Sequence, residues 1–352
     1  MREFTYVAQP MRVLFGAGAR ARLAGEIELL GARRALILST PEQSADAEQV
    51  ARQLGSRAAG IYAKAVMHVP IETAREARDV ARTLGADCAI AIGGGSTTGL
   101  GKAIALECAL PIVAIPTTYA GSEMTPIYGL TEGGLKRTGK DPRVLPRTVI
   151  YDPELTLSLP LALSITSGIN AIAHAVEGLY ARDANPIMDL MAEEGIRALA
   201  GALPELARNA QDIRARSEAL YGAWLCGTVL GNVGMALHHK LCHTLGGSFG
   251  LPHAEVHTVV LPHALAYNAA AIPAALSRIG RALGADQPAA ALYDLARANG
   301  VPYSLRALGM QQSDLERAAD LAVENAYWNP RPIERAGILT LLHNAWQGTR
   351  PS

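Results

Sequence analysis

The sequence predicts a two-part α/β protein: a doubly wound, mainly parallel sheet of the Rossmann type, followed by an all-α domain. Over residues 1–150, short apolar runs alternate with amphipathic runs, as in a parallel sheet covered by helices. The strand signal ends near Leu157, where long stretches rich in Ala, Leu, Arg and Glu begin. We therefore expect domains at residues 1–153 and 154–352, joined near Tyr151-Asp152-Pro153.

Composition narrows the class of protein. The 352 residues are 49% hydrophobic, which is ample for two cores. Lys plus Arg equals Asp plus Glu at 32 each, and this balance argues against a nucleic-acid partner. The four cysteines lack paired spacing, so we expect reduced thiols in the cytoplasm. The N-terminus lacks the apolar core of a signal peptide, and we expect no membrane span.

Three apolar runs mark the strands of the first domain. Arg34–Ser39 predicts a buried strand and precedes a predicted helix at Ala45–Leu54. Cys88–Ile92 and Pro111–Ile115 predict two more strands. Their short, continuous apolar character is typical of strands buried on both faces.

A glycine-rich turn, Gly93-Gly94-Gly95-Ser96, follows the second of these strands and opens a helix. Glycines there let the backbone approach a pyrophosphate, and the helix N-terminus offers free N–H donors. The spacing departs from G-x-G-x-x-G, since Thr98 replaces the third glycine, and a structural cap is the alternative. Hydroxyl groups after the next strand favour a dinucleotide site. The predicted cofactor-binding residues are Gly94, Gly95, Ser96, Thr117, Thr118 and Ser122.

The choice between NADH and NADPH stays open. An acidic residue after an early strand often binds the adenosine ribose in dinucleotide folds. Here the strand ends in Ser39-Thr40-Pro41, without a carboxylate, so a 2′-phosphate is not repelled at this point.

Six of the nine histidines lie between His238 and His263, in a stretch with few charges. On helices, Asn170 and His174 would lie one turn apart, as would His239 and His243. A lone histidine is more often a core residue than a functional one, but this density favours one polar site. We expect His238 to point elsewhere, about 100° from its neighbour, and His263 is as consistent with a structural as with a catalytic role.

Three longer strings carry a resemblance to a known family. They are residues 93–102 (GGGSTTGLGK), 116–125 (PTTYAGSEMT) and 251–257 (LPHAEVH). Together with the histidine segments they resemble the iron-containing (group III) alcohol dehydrogenase superfamily, and the chain looks most similar to its maleylacetate reductase branch. The resemblance covers nearly the whole chain. It implies a dehydroquinate synthase-like fold and a homodimer.

The resemblance also identifies two departures. Metal-dependent members carry Asp at the position of Asn170, with histidines at His174, His239 and His253, and they carry another Asp at the position of Gly99. An amide is a weaker ligand than a carboxylate for a hard cation. We therefore expect no required metal, although three histidines alone can hold zinc in some enzymes.

The implied activity is the reduction by NADH or NADPH of the carbon–carbon double bond of maleylacetate, giving 3-oxoadipate. Hydride addition to an enone gives a delocalised enolate, which hydrogen bonds can stabilise without a cation. His243 is the first candidate for the proton donor and His253 the second. Asn170, His174 and His239 would bind the substrate, and Lys136 would meet its negative charge.

Several alternatives remain at this stage. A metal-dependent alcohol or polyol dehydrogenase is the first, and a dehydroquinate synthase-like lyase and a silent nucleotide-binding module are the others. Acceptance of chlorinated maleylacetates cannot be predicted. Near the C-terminus, Tyr327 and Trp328 are interpreted as packing residues, and Arg331 is either a further cation for the substrate or a residue that fixes a helix start.

Overall fold

The computed structural model describes residues 3–133 and 135–352, without the side chains of Leu135 and Lys136. It divides into an α/β unit, Ala8–Leu159, and a helical unit made of the N-terminal residues up to Val7 with Pro160–Ser352. The division falls after the predicted boundary at residue 153. It also assigns the first residues to the helical unit, where Phe4 lies beside Asp183 and Ala184. Such chain-distant packing leaves no periodic signal in the sequence.

The α/β unit contains eight strands in the described residues. They are β1 Arg12–Phe15, β2 Ala35–Leu38, β3 Ala58–Tyr62, β4 Cys88–Gly93, β5 Ile112–Pro116, β6 Ile127–Glu132, β7 Leu135–Lys140 and β8 Thr148–Tyr151. Six form one parallel sheet in the order β1-β8-β5-β4-β2-β3, while β6 and β7 form a separate antiparallel pair. The predicted parallel sheet is confirmed, and its three predicted strands correspond to β2, β4 and β5.

The strand order reverses direction between β2 and β4. From β2 the chain moves outward to β3, then returns to place β4 on the other side of β2. In open parallel sheets, ligands bind at such a switch point, beyond the carboxyl ends of the strands. The residues that follow β2 and β4 are therefore the ones placed to meet a ligand.

Four helices cover this sheet. They are α1 Leu23–Leu29, α2 Ser44–Leu54, α3 Ile71–Thr83 and α4 Gly95–Cys108. One apolar cluster packs α1 and α2 on one side, around Ile37, Ile90 and Ile115. A second cluster packs α3 and α4 on the other side, around Leu36 and Leu38. Neighbouring residues of β2 thus belong to opposite clusters, because side chains alternate along a strand.

The helical unit contains nine α-helices in the described residues. They are α5 Leu161–Leu179, α6 Pro186–Arg208, α7 Ile213–Asn232, α8 Leu237–Phe249, α9 His253–Asn268, α10 Pro273–Leu283, α11 Pro288–Ala298, α12 Leu315–Val323 and α13 Arg335–Gln347. Their core includes Leu241, Val260 and Leu342, which are buried among residues of α8, α9, α12 and α13.

Helix α5 is buried continuously from Ser164 to Leu179 and lies at the centre of this unit. Its polar side chains are therefore placed inside the protein, where each needs a partner or a function. Among the described residues no single helix has the length and apolarity to cross a membrane. One bent pair, α7 with α8 at 95°, meets the criteria by length and composition only.

Candidate active-site elements: a glycine-rich turn and a histidine cluster

The glycine-rich turn lies at the carboxyl end of β4, beside the switch point. Gly93 is paired in register with Pro116, and the Thr117 N–H donates to the Gly93 carbonyl at 3.1 Å. The first bond of α4 runs from Thr98 N–H to the Gly94 carbonyl. The N–H groups of Gly95, Ser96 and Thr97 thus lie at the N-terminus of α4, where an anion is favoured.

Close contacts explain why two of these positions are glycine. Gly93 has a φ of +146°, and a Cβ there would lie 2.5 Å from Thr97 Oγ1 and 2.6 Å from Gln43 Oε1. A Cβ on Gly94 would lie 3.0 Å from Thr118 Cγ2. Gly95 is different, since its nearest heavy atom would be 3.9 Å away. There is thus little space beside Gly93 and Gly94, whereas the surroundings of Gly95 at the helix N-terminus are open, as a phosphate site requires.

Polar groups from the neighbouring strand ends lie around the turn. Gln43, which follows β2, donates from Nε2 to Thr117 Oγ1 at 2.8 Å. The hydroxyls of Ser39 and Thr97 are buried and have no hydrogen-bond partner within the described residues. The switch point therefore combines free amides with unused hydroxyls, and these residues fit a dinucleotide.

Lys102 fixes the segment that carries Ser122. Its fully buried ammonium donates to the carbonyls of Ser122, Thr125 and Ile127 and to Thr125 Oγ1, at 2.6–2.9 Å. Burial lowers the pKa of Lys102 to about 7, against the raising effect of Glu123. Lys102 was predicted only as part of the string at residues 93–102, and its contacts give it a positioning role.

At Gly99, where metal-dependent relatives are expected to carry Asp, a larger side chain would require Val69 to shift. A Cβ there would lie 2.8 Å from Val69 Cγ2. Val69 has a φ of +46°, an uncommon conformation for a β-branched residue. The apolar neighbour thus occupies the position that an acidic side chain would need.

The helical unit brings histidines from α5, α8 and α9 into one buried cluster. The ring of His239 lies 5.1 Å from that of His174 and 5.0 Å from that of His257, between centroids. The rings of His253 and His257 are 4.4 Å apart. Burial lowers the pKa of His174 and His257 well below its usual value, so both are neutral near pH 7. This cluster defines the candidate substrate site.

Glu177, which sequence analysis missed, orients this cluster. Its Oε2 accepts from His239 Nδ1 at 2.7 Å and from Ala236 N–H at 2.8 Å, while Oε1 accepts from His238 N–H at 2.7 Å. Helix α8 has no local side-chain cap, so this distant carboxylate supplies the acceptors for its first amides. Because the carboxylate only accepts, His239 carries its proton on Nδ1 and presents a lone pair at Nε2.

His243 lies one turn beyond His239 and is exposed. Its Nδ1 forms a 2.9 Å hydrogen bond with the hydroxyl of Tyr327. The interpretation of Tyr327 as a packing residue was therefore incomplete, since its polar end fixes an imidazole. His253, the first residue of α9, is also exposed.

His238, His263 and Lys136 are the remaining residues that the sequence analysis considered. The expectation that His238 faces elsewhere was wrong: its ring lies 5.2 Å from that of His239, and its Nε2 lies 3.0 Å from His257 Nδ1, so it belongs to the cluster. His263 is buried, and burial lowers its pKa to about 4. Lys136 lies on β7, but its side chain is outside the described part of the chain.

Four buried polar atoms in or beside the cluster have no hydrogen-bond partner among the residues that the structure describes. They are Asn170 Oδ1, His174 Nδ1, His239 Nε2 and His257 Nε2. Unpaired buried polar atoms are costly and usually serve a ligand. A nucleotide-type turn in the α/β unit and unused polar atoms in the helical unit are each features of the class of nicotinamide-dependent oxidoreductases.

Comparison with known proteins assigns the family. Residues 10–153 match the model for iron-containing alcohol dehydrogenases, and residues 164–346 match the C-terminal model of the same family. A maleylacetate reductase from Burkholderia cepacia is 65% identical over 100% of both chains. Crystal structures of maleylacetate reductases from Agrobacterium tumefaciens and Rhizobium sp. share 56% and 54% identity, each with a TM-score of 0.97 and covering 100% of both chains. The chain belongs to the iron-containing alcohol dehydrogenase family.

The family implies a metal ion, so the donor set must be tested against one. At the expected positions the chain offers the amide of Asn170 and three imidazoles, none of them anionic. The carboxylate of Glu177 is occupied by three N–H groups. Among the described residues, the group found with three ligand atoms within 4.8 Å of one another is His238, Cys242 and His257, a different set. The expected positions thus offer neutral donors only, without the carboxylate that metal-dependent members are expected to carry.

Proposed function

We propose that this protein reduces the carbon–carbon double bond of maleylacetate with NADH or NADPH and releases 3-oxoadipate. The observation that carries the proposal is the buried set of unpaired polar atoms around Asn170, His174 and His239, in which a neutral amide stands where a cation ligand is expected. Full-length similarity to maleylacetate reductases supports the same substrate.

The reduced nicotinamide supplies a hydride to the alkene carbon that is β to the ketone. The resulting negative charge spreads from the α carbon to the ketone oxygen, and protonation of the α carbon completes the reduction. The substrate oxygens would lie beside His174, His239 and Asn170, where Asn170 can donate through its NH₂ group and His239 Nε2 only after it takes up a second proton. Glu177 accepts from His239 Nδ1 at 2.7 Å and fixes this ring, in the manner of the carboxylate that orients a catalytic histidine.

His243 is the proposed proton donor to the α carbon. Its exposed position gives access to solvent protons, and its bond to Tyr327 fixes the ring. Histidine titrates near neutral pH, which suits both donation and recovery of a proton. His253 is the second candidate, since its ring lies against the cluster through His257.

We propose further that the reaction requires no metal. An enolate is delocalised, so hydrogen-bond donors can replace the Lewis acid that a simple carbonyl needs. One contact favours the alternative, a metal-dependent alcohol or polyol dehydrogenase. The bond between Glu177 and His239 resembles the carboxylate–histidine pairs that orient metal ligands.

A single assay separates these functions. Purified protein is treated for a long period with a chelator, its metal content is measured, and NADH oxidation is followed with maleylacetate and with simple alcohols or polyols plus NAD. Maleylacetate-dependent oxidation that survives metal removal supports the proposal. A tightly held stoichiometric ion whose removal abolishes turnover would overturn the metal-free mechanism. Absence of maleylacetate turnover in untreated protein would overturn the proposed activity.

We also propose that the protein uses both NADH and NADPH, forms a homodimer, lies in the cytoplasm and meets the negative charge of the substrate with Lys136.

Glu42, just after β2, is the residue to test for coenzyme preference. Its own amide and the Thr40 hydroxyl lower its pKa, so it carries a charge that would repel a 2′-phosphate. The ratio of kcat/KM for NADPH over NADH should rise in Glu42→Gln, and an unchanged ratio would exclude this role. Light scattering tests the dimer.

A further inference from the structure

His238 and His257 form a buried pair that the mechanism above does not use. His238 is fully buried and His257 is 1% exposed, and His238 Nε2 lies 3.0 Å from His257 Nδ1. A hydrogen bond between two ring nitrogens holds one proton, so one ring donates it and the other accepts it through a lone pair.

The neighbouring thiol favours one direction for that bond. Burial raises the pKa of Cys242 well above its usual value, so the thiol keeps its proton, and Sγ lies 4.0 Å from His238 Nδ1 and 3.6 Å from Nε2. If His238 donates from Nε2, its Nδ1 lone pair can accept the thiol proton, at the longer of the two sulfur distances. In the opposite arrangement a buried Nδ1–H of His238 would face only sulfur, a weak acceptor. Donation from His238 Nε2 to His257 Nδ1 therefore gives more of the buried polar groups a hydrogen-bond partner.

This direction determines what His257 presents on its other side. With Nδ1 accepting from His238, the proton of His257 must sit on Nε2. That atom is buried and has no partner within the described residues, and its ring lies 5.0 Å from His239 and 6.4 Å from His174. An unpaired N–H donor thus adjoins the candidate substrate site.

We propose that His257 Nε2–H donates a hydrogen bond to an oxygen of the substrate, and that His238 is the positioning residue that holds this tautomer. The proposal rests on the proposed function and adds a specific donor to it. A dianionic keto acid offers oxygens that only accept. His239 can donate from Nε2 only after it takes up a second proton, whereas His257 donates while neutral.

The first experiment compares steady-state kinetics of variants with maleylacetate and NADH. His257→Leu should lower kcat/KM for maleylacetate at least about tenfold, since loss of one donor to a developing oxyanion costs about 10²–10³. The KM for NADH should not change. His257→Gln, which keeps an N–H near the same point, should recover part of the loss. His263→Leu removes another buried imidazole of α9 and serves as the matched control, with kcat/KM within about threefold of the parent.

The second experiment tests the role of His238. If His238 acts only through His257, His238→Phe should lower kcat/KM, while the double variant His238→Phe/His257→Leu should be no slower than His257→Leu alone. ¹⁵N NMR of the imidazoles in the unaltered protein should show an unprotonated Nδ1 and a protonated Nε2 for His257. This measurement does not depend on whether any variant folds.

The outcomes separate this inference from the proposed function. An unaltered protein without maleylacetate turnover would remove the proposed activity, and the NMR tautomer would still test the pair. Turnover in His257→Leu within threefold of the parent, or a proton on His257 Nδ1, would overturn the inference. A stoichiometric metal ion that is lost in Cys242→Ser would also overturn it, because the pair would then be a ligand set.

Discussion

Replacing Glu177 with Gln tests how the cluster is organised. The carboxylate accepts three hydrogen bonds at 2.7–2.8 Å, from His239 Nδ1 and from the backbone amides of Ala236 and His238. Glutamine has the same shape, but one of its two terminal atoms is an NH₂ group that cannot accept. In either orientation of the glutamine amide, its NH₂ group faces at least one N–H donor at the start of α8.

The expected loss follows from these bonds. A hydrogen bond to a charged group contributes roughly 1.5–3 kcal/mol, and an unpaired buried donor adds a penalty of similar size. His239 can change tautomer and accept from the new NH₂, which recovers part of the loss. We therefore expect the free energy of unfolding to fall by about 2–4 kcal/mol. The tautomer change also moves the proton of His239 to Nε2. We therefore expect Glu177→Gln to alter kcat/KM for maleylacetate as well as the free energy of unfolding.

Urea unfolding followed by circular dichroism measures the first effect, and steady-state kinetics measures the second. Glu205→Gln on α6 is the control, because Glu205 is half exposed and its carboxylate pairs with the exposed Arg208 at the surface. Surface changes of this kind usually alter stability by less than about 0.5 kcal/mol. If Glu177→Gln were as mild as this control in both measurements, the carboxylate would not organise the cluster.

Three further predictions concern other parts of the protein. His243→Ala should reduce kcat by about 10²–10⁴ with little change in the KM for NADH, and retention of most turnover would exclude it as the proton donor. Gly93→Ala should raise the KM for NADH without altering the fold of the helical unit, because its Cβ would lie 2.5 Å from Thr97 Oγ1; unchanged NADH binding by fluorescence titration would contradict this. Stability should fall between pH 6.5 and 4, and His263 alone should contribute up to about 3 kcal/mol of this fall, because the unfolded chain binds a proton that the buried imidazole, with a pKa of about 4, does not. His263→Leu should flatten that part of the pH profile of urea unfolding.

The sheet and the glycine-rich turn were predictable because their signals are local. Continuous apolar runs gave β2, β4 and β5 to within a residue or two, and glycines at a strand end indicated a phosphate turn. Glu177 was missed although a signal existed, since it lies three residues after His174 on the same helix. Tyr327 could not be found in this way, because its contact with His243 joins residues far apart in the chain. Such pairs depend on tertiary packing, which a single sequence does not reveal.

The distribution of charge on α5 connects the fold to the chemistry. Asn170, His174 and Glu177 follow one another at helical spacing, so one buried helix carries an amide, an imidazole and a carboxylate. The negative charge of the helix is on Glu177, where three N–H groups stabilise it, and the neutral amide is on Asn170. A carboxylate at residue 170 would repel a dianion at short range in a buried site, where screening by water is weak. The neutral amide therefore suits an anionic substrate for the same reason that it makes a poor ligand for a cation.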